Sequence, residues 1–172
     1  ISNKNLNPFE KFDELFQSSL KLRLRSDVPI GVCLSGGLDS SAIVSVLNKK
    51  MKLNNINSFS AIYKNYMKDE SQYIEALRPS SNEMFFTEPD GLSFYNDLDD
   101  LMNAHSEPFS TTAIYAQYKV MSLAQNNVKV LLDGQGADEY LAGYHYFHGF
   151  YFIELLKTLS FLNFFNEVFY NI

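Results

Sequence analysis

A short apolar run, Ile30-Gly31-Val32-Cys33-Leu34, passes without a spacer into Ser35-Gly36-Gly37-Leu38-Asp39-Ser40-Ser41. Bounded by turn residues, the run reads as a strand buried on both faces, which calls for a parallel sheet covered by helices. The glycines permit positive φ and close backbone approach to a ligand. The helix opening at Asp39 presents unpaired amides and a partial positive charge. With the hydroxyls of Ser35, Ser40 and Ser41, this makes an anion hole sized for phosphate oxygens. Asp39 suits such a hole when a Mg²⁺ bridges carboxylate and phosphate. The lysine of a Walker P-loop is missing, which fits attack at an α-phosphate with pyrophosphate as leaving group. The plainer alternative is a Gly-Gly tight turn followed by an Asp-Ser helix cap.

A second run, Val128-Lys129-Val130-Leu131-Leu132, leads into another glycine-containing, acidic loop, Asp133 to Glu139. Between the two, Asn57–Tyr63 and Glu83–Thr87 read as strands. Pro8–Arg25, the stretch from Asp39 to Lys50, the stretch opening at Asp69-Glu70, Leu92–Met102 and Ala113–Ala124 read as helices, and the aromatic segment from Phe147 onward is helical and amphipathic. Tyr73, Ile74 and Leu77 form the apolar side of the helix after Asp69, which Pro79 stops. Alternating strands and helices imply a three-layer α/β/α domain over residues 1–172, with both loops on the carboxyl edge of a parallel sheet. Asp133, Asp138 and Glu139 could be a solvated acidic turn, but carboxylates clustered after a buried strand repel unless a cation sits among them.

The net charge is −6 and the pI about 5.0. That excludes non-specific attraction to nucleic acid or an anionic membrane surface. The single cysteine, Cys33, precludes an internal disulfide and reads as a small buried hydrophobe. The most apolar stretch, Tyr151 to Tyr170, carries too many polar groups for a bilayer span. The expectation is a cytosolic protein of which this chain, starting at Ile1, is a piece.

Ser-Gly-Gly-Leu-Asp-Ser-Ser resembles the PP-loop of the ATP pyrophosphatase superfamily, with its adenine-nucleotide alpha-hydrolase-like fold. The stretch Asp133-Gly134-Gln135-Gly136-Ala137-Asp138-Glu139, with Ala142-Gly143-Tyr144 downstream, narrows this to a resemblance to the synthetase domain of glutamine-hydrolysing asparagine synthetases. Val28-Pro29-Ile30-Gly31-Val32 and Ser58-Phe59-Ser60-Ala61 fit the same family, and the resemblance covers about residues 8–149. It implies ATP-dependent adenylation of an amino-acid carboxylate, aspartate expected, with pyrophosphate release, then amide formation with ammonia. It assigns ATP and pyrophosphate to Cys33, Leu34, Ser35, Gly36, Gly37, Asp39, Ser40, Ser41, Ala61, Asp133 and Gly134, with Cys33 and Ala61 using backbone groups. Asp39 and Asp138 are implied as Mg²⁺ ligands, and Asp133, Gln135 and Asp138 as the catalytic set. Glu107, Thr111 and Thr112 are implied near the acid substrate, although Thr111 or Thr112 also reads as an N-cap. A glutaminase domain or subunit is the expected partner.

Asp133 stands where the family usually has Ser, and Gln135 where it usually has Glu. A glutamine amide cannot take a proton from an attacking amine, so the acid and amine pair is open to variation. The resemblance places a lysine that stabilises adenylation downstream of this chain, so the stretch alone is expected to bind ATP with weak or absent turnover. Two alternatives stand beside this reading. One is a nucleotide-binding domain without catalysis. The other is a related PP-loop enzyme with another acid and amine; a tRNA-modifying one is disfavoured by the acidic pI.

Overall fold

A computed structural model describes residues 7–64, 66 and 69–170. The chain divides into two compact units, the first ending at Gly134 and the second beginning at Gln135.

In the first unit, helix α1 (Pro8–Arg23) is followed by β1 (Ile30–Cys33), α2 (Leu38–Ser45), β2 (Asn57–Ala61), α3 (Ser71–Ala76), β3 (Met84–Thr87), α4 (Gly91–Asn96), α5 (Leu98–Ala104), α6 (Ala113–Ala124) and β4 (Val130–Leu132). The strands form one sheet in the order β3-β2-β1-β4, every pair parallel. Side-chain alternation along these strands supplies two cores. Val32, Leu34 and Leu132 face α1 and α2, meeting Leu20, Ile43, Val44 and Leu47. Phe59 points the other way, with Cys33, Ala61, Phe85 and Leu131, against Val120 and Ala124 of α6. Apolar residues on both faces are what a parallel sheet between helical layers requires. The expected α/β/α arrangement is therefore the observed one.

Pro8 at N1 and the Asn7 side chain, which accepts from the Phe9 amide at 3.1 Å, start α1. The helix after Asp39 continues past Ser45 as a π-helical turn, Val46–Lys50. Tyr73 is 56% exposed, so Ile74 rather than Tyr73 anchors α3. The single helix expected over Leu92–Met102 is two, α4 and α5, divided at Asp97. The cause is tertiary. Asp97, at φ −90° and ψ 2°, accepts hydrogen bonds from Tyr115 Oη at 2.7 Å and Lys119 Nζ at 2.8 Å, both on α6. The hydrogen bond from Lys119, then that from Tyr115, holds the Asp97 carboxyl below its usual pKa. An Asp90–Ser93 capping box starts α4.

In the second unit, α7 (Ala137–Leu141), α8 (Tyr146–Lys157) and α9 (Phe161–Tyr170) follow one another. Asp138 and Glu139, expected in a loop, lie in the first turn of α7. Helices α8 and α9 meet through an edge-to-face contact of Phe152 and Phe164, with ring centres 5.7 Å apart. Leu162 and Phe169 are 84% and 81% exposed. Among the described residues, no helix is long and apolar enough to cross a membrane.

Candidate active site

Strands β1, β2 and β3 are laid down in one direction across the sheet, and the chain then returns through α4, α5 and α6 to place β4 on the other side of β1. The carboxyl ends of β1 and β4 therefore flank the point where strand order reverses. In open α/β sheets that crevice is where ligands bind. Their exits are Leu34 to Gly37 and Asp133 to Gly134.

Five hydrogen bonds and one close backbone approach shape the first loop. Gly36 has φ +90°, and a Cβ there would lie 2.9 Å from both the Cβ and the carbonyl oxygen of Glu70 and 3.2 Å from Ile74 Cγ1. The loop is thus pressed against the start of α3 and has room only for glycine. Buried Ser40 sends its hydroxyl back under the loop, 3.0 Å from Ser35 Oγ, accepting from the Ser35 amide at 3.2 Å and donating to the Gly37 carbonyl at 3.3 Å. Ser35 Oγ accepts from the Gly37 amide at 3.2 Å. Buried Ser60 of β2 donates to the Leu34 carbonyl at 2.6 Å, fixing the strand end.

The Gly37 N-cap supplies no side-chain acceptor to α2. The first-turn amides of Leu38, Asp39 and Ser40 are therefore left for an external acceptor, the arrangement that suits a phosphate. Asp39 sits in this first turn, where the helix dipole favours a negative group. Gly134 lies against the same turn: a Cβ on it would come 3.0 Å from the Ser40 amide nitrogen and 3.1 Å from Asp39 Cβ. The backbone leaving β4 thus passes directly beside the amides of the first loop.

The sequence-derived residues Cys33, Leu34, Ser35, Gly36, Gly37, Asp39, Ser40, Ser41, Ala61, Asp133 and Gly134 all belong to the first unit, at or next to the carboxyl ends of β1, β2 and β4. Asp133 is exposed, one position past the Val32–Leu132 pair of the β1–β4 ladder. Burial first, then the negative charge of Asp133, push the Cys33 thiol up to about 12. Cys33 packs with Phe59, Val120 and Ala124, as the small hydrophobe expected of it. Sequence reasoning missed the Glu70 and Ile74 support behind Gly36. No local pattern announces either contact, because each joins distant segments.

Gln135 and Asp138 belong to the second unit. There Gly136, at φ +94°, caps α7, and the Glu139 carboxylate accepts from Tyr144 Oη at 2.8 Å. Gly143 donates its amide to the Asp138 carbonyl at 3.1 Å, and a Cβ on it would fall 1.9 Å from Asp138 Oδ1. The Asp138 carboxylate therefore occupies the space a side chain at 143 would need. Glu107, Thr111 and Thr112 are exposed. Thr112 takes the N-cap position of α6, but its side chain makes no capping bond, which corrects the simple capping expectation.

Among the described residues, no three or more of His, Cys, Asp and Glu stand together as a ready-made metal cage.

A parallel α/β/α sheet with a glycine-bent anion loop at its switch point defines a PP-loop-type α/β domain. The asparagine synthase family profile matches residues 11–160, and the chain belongs to that family. It is 34% identical over 139 residues to a Methanocaldococcus jannaschii protein named as a candidate asparagine synthetase (glutamine-hydrolysing) 2, a match covering 78% of the chain and 26% of that protein. It is 30% identical over 149 residues to the asparagine synthetase (glutamine-hydrolysing) of Zea mays, covering 78% of the chain and 25% of the relative. With asparagine synthetase (glutamine-hydrolysing) 3 of Arabidopsis thaliana it shares 31% identity over 147 residues, 77% of the chain and 25% of the relative. The chain spans about a quarter of the length of these relatives.

Proposed function

We propose that this chain is the ATP-binding part of an amide-forming ligase that adenylates an amino-acid carboxylate, aspartate first among candidates, releases pyrophosphate and passes the acyl group to ammonia. The observation that carries this reading is the approach of Gly134 to the first turn of α2, which brings the exits of β1 and β4 against one set of free amides. The triphosphate tail would lie on the amides of residues 38–40 and the Ser35 and Ser41 hydroxyls. The two anions that must meet, carboxylate and α-phosphate, are then screened by oriented N–H groups that need no rearrangement as charge develops. Mg²⁺ would supply charge neutralisation on the departing pyrophosphate, with Asp39 and, by family resemblance, Asp138 as the carboxylates offered to it. In the second step the amine nitrogen bonds to the acyl carbon, the acyl–phosphate oxygen bond breaks and AMP leaves with that bond's electrons.

The glutamine-hydrolysing names of the relatives support a glutaminase domain or subunit as the ammonia source. Asp133 and Gln135, against the Ser and Glu usual in the family, favour a second possibility at the same site: another acid or amine. Isotope exchange between pyrophosphate and ATP in the full-length protein, with Mg²⁺ and a panel of amino acids, decides among the readings. Exchange dependent on aspartate is expected. Exchange with a different acid reassigns the substrate, and tight ATP binding without exchange under any acid shows a non-catalytic nucleotide domain.

A further inference from the structure

We infer that Asp69 is a positioning residue for the phosphate-binding turn: its carboxylate fixes the start of α3, on which Gly36 rests, and so sets where the amides of the first loop stand. The role in binding rests on the nucleotide reading of that loop. Glu70 holds the N-cap position of α3, but its side chain makes no capping bond. Asp69, one residue earlier, supplies the acceptors instead. Its Oδ1 takes the Ser71 amide and the Tyr63 amide, each at 3.3 Å, and its Oδ2 takes the Ser71 hydroxyl at 2.6 Å. Tyr63 follows closely on β2, so one carboxylate ties the exit of that strand to the first turn of α3. An ionised carboxylate only accepts, and its two oxygens can serve several donors at once. These bonds, the Ser71 hydroxyl foremost, hold the Asp69 carboxyl below its usual pKa.

The turn fixed in this way meets the loop at its tightest point. The Glu70 carbonyl accepts from the Tyr73 and Ile74 amides at 2.9 and 3.2 Å. That same oxygen and the Glu70 Cβ are the atoms a Cβ on Gly36 would meet at 2.9 Å, with buried Ile74 behind them. Gly36 therefore cannot sink toward α3, and its left-handed bend has a rigid backing. Without Asp69 that backing loosens, and the amides of residues 38–40 lose the fixed orientation on which phosphate binding depends.

Hydrogen exchange reads the loop with no ligand present. The Ser35, Gly37 and Ser41 amides bond within the loop, to Ser40 Oγ, Ser35 Oγ and the Gly37 carbonyl. In the full-length protein, Asp69→Ala is expected to speed exchange of a peptide covering residues 35–41 about tenfold and to leave a peptide covering α6 unchanged. Unchanged exchange at 35–41, or equal acceleration in both peptides, overturns the inference.

Binding reads the consequence. ATP and inorganic pyrophosphate are each expected to bind D69A about tenfold more weakly, while adenosine, which carries no phosphate, stays within about twofold. Asp69→Asn keeps Oδ1 for the two amides and should bring ATP affinity back to within about threefold of wild type. Unchanged ATP affinity in D69A, or equal losses for ATP and adenosine, overturns the positioning role. If D69A does not fold, Ser71→Ala removes only the hydroxyl donor and is expected to weaken ATP about threefold and adenosine not at all. Wild-type protein that binds neither ATP nor pyrophosphate overturns the nucleotide reading instead, and exchange at 35–41 then decides the contact by itself.

Discussion

The loop after β1 and the loop after β4 share a plan: strand, glycine at positive φ, then a helix with an aspartate in its first turn. They are secured by different means. The first is backed by a helix whose Ile43 and Val44 are core residues, by the buried Ser40 hydroxyl, and by Glu70 and Ile74 behind Gly36. The second enters a five-residue helix that buries only Ala137 and ends at Ala142 with φ +58°, a conformation that costs a residue bearing a Cβ. The first loop is a fixed template whose amides are already oriented. Within the second, Gly143 donates to the Asp138 carbonyl and Tyr144 to the Glu139 carboxylate.

Substitutions can break that contrast. The largest effect is expected at Gly36→Ala, where left-handed strain and overlap with Glu70 together cost about 3 kcal/mol of stability by chemical denaturation. Gly37→Ala, one residue away with φ −67° and only Ser35 Oγ within reach, should stay within about 1 kcal/mol. If the two cost the same, the rigid-template description is wrong.

Next comes pH. The Cys33 thiol has a raised pKa, so above pH 9 the unfolded chain loses this proton before the folded one. Stability is therefore present below pH 9 and is lost as pH rises toward about 12. Discounted for partial exposure, the loss is about 2 kcal/mol. Thermal unfolding of Cys33→Ser, which lacks this titration, should fall less steeply over that range.

Gly134→Ala forces the β4 exit away from the Ser40 amide. It should lower ATP affinity about tenfold by calorimetry, equivalent to modest overpacking. Unchanged affinity would detach the two strand ends from one ligand. In the second loop, Ala142→Gly relieves positive φ and should stabilise by about 1 kcal/mol. The smallest effect is expected from Gly143→Ala, which displaces the Asp138 carboxylate. If Asp138 serves Mg²⁺ as proposed, the Mg²⁺ concentration for half-maximal nucleotide binding should rise about threefold with little change in melting, as for a single weakened metal contact.

Much of this was legible in the chain because the signals are local. Apolar runs ending in Ser-Gly-Gly and Asp-Gly gave the positions of β1 and β4, and periodic apolar residues gave α1 and α6 to within about two residues at each end, as helix boundaries allow. The break at Asp97 was invisible because Lys119 and Tyr115 both bond that carboxylate from another helix. The division of the chain at Gly134 falls inside the second motif, where composition shows no linker.

By itself, then, the sequence determined the period of each segment, the two anion-type turns and the family, since each depends on neighbours along the chain. Tertiary structure alone decided that β4 returns to the far side of β1, that Gly36 rests on α3, and that Cys33 packs against Phe59 and α6. Those facts depend on which distant surfaces find room for one another, and local residue preference carries no information about that.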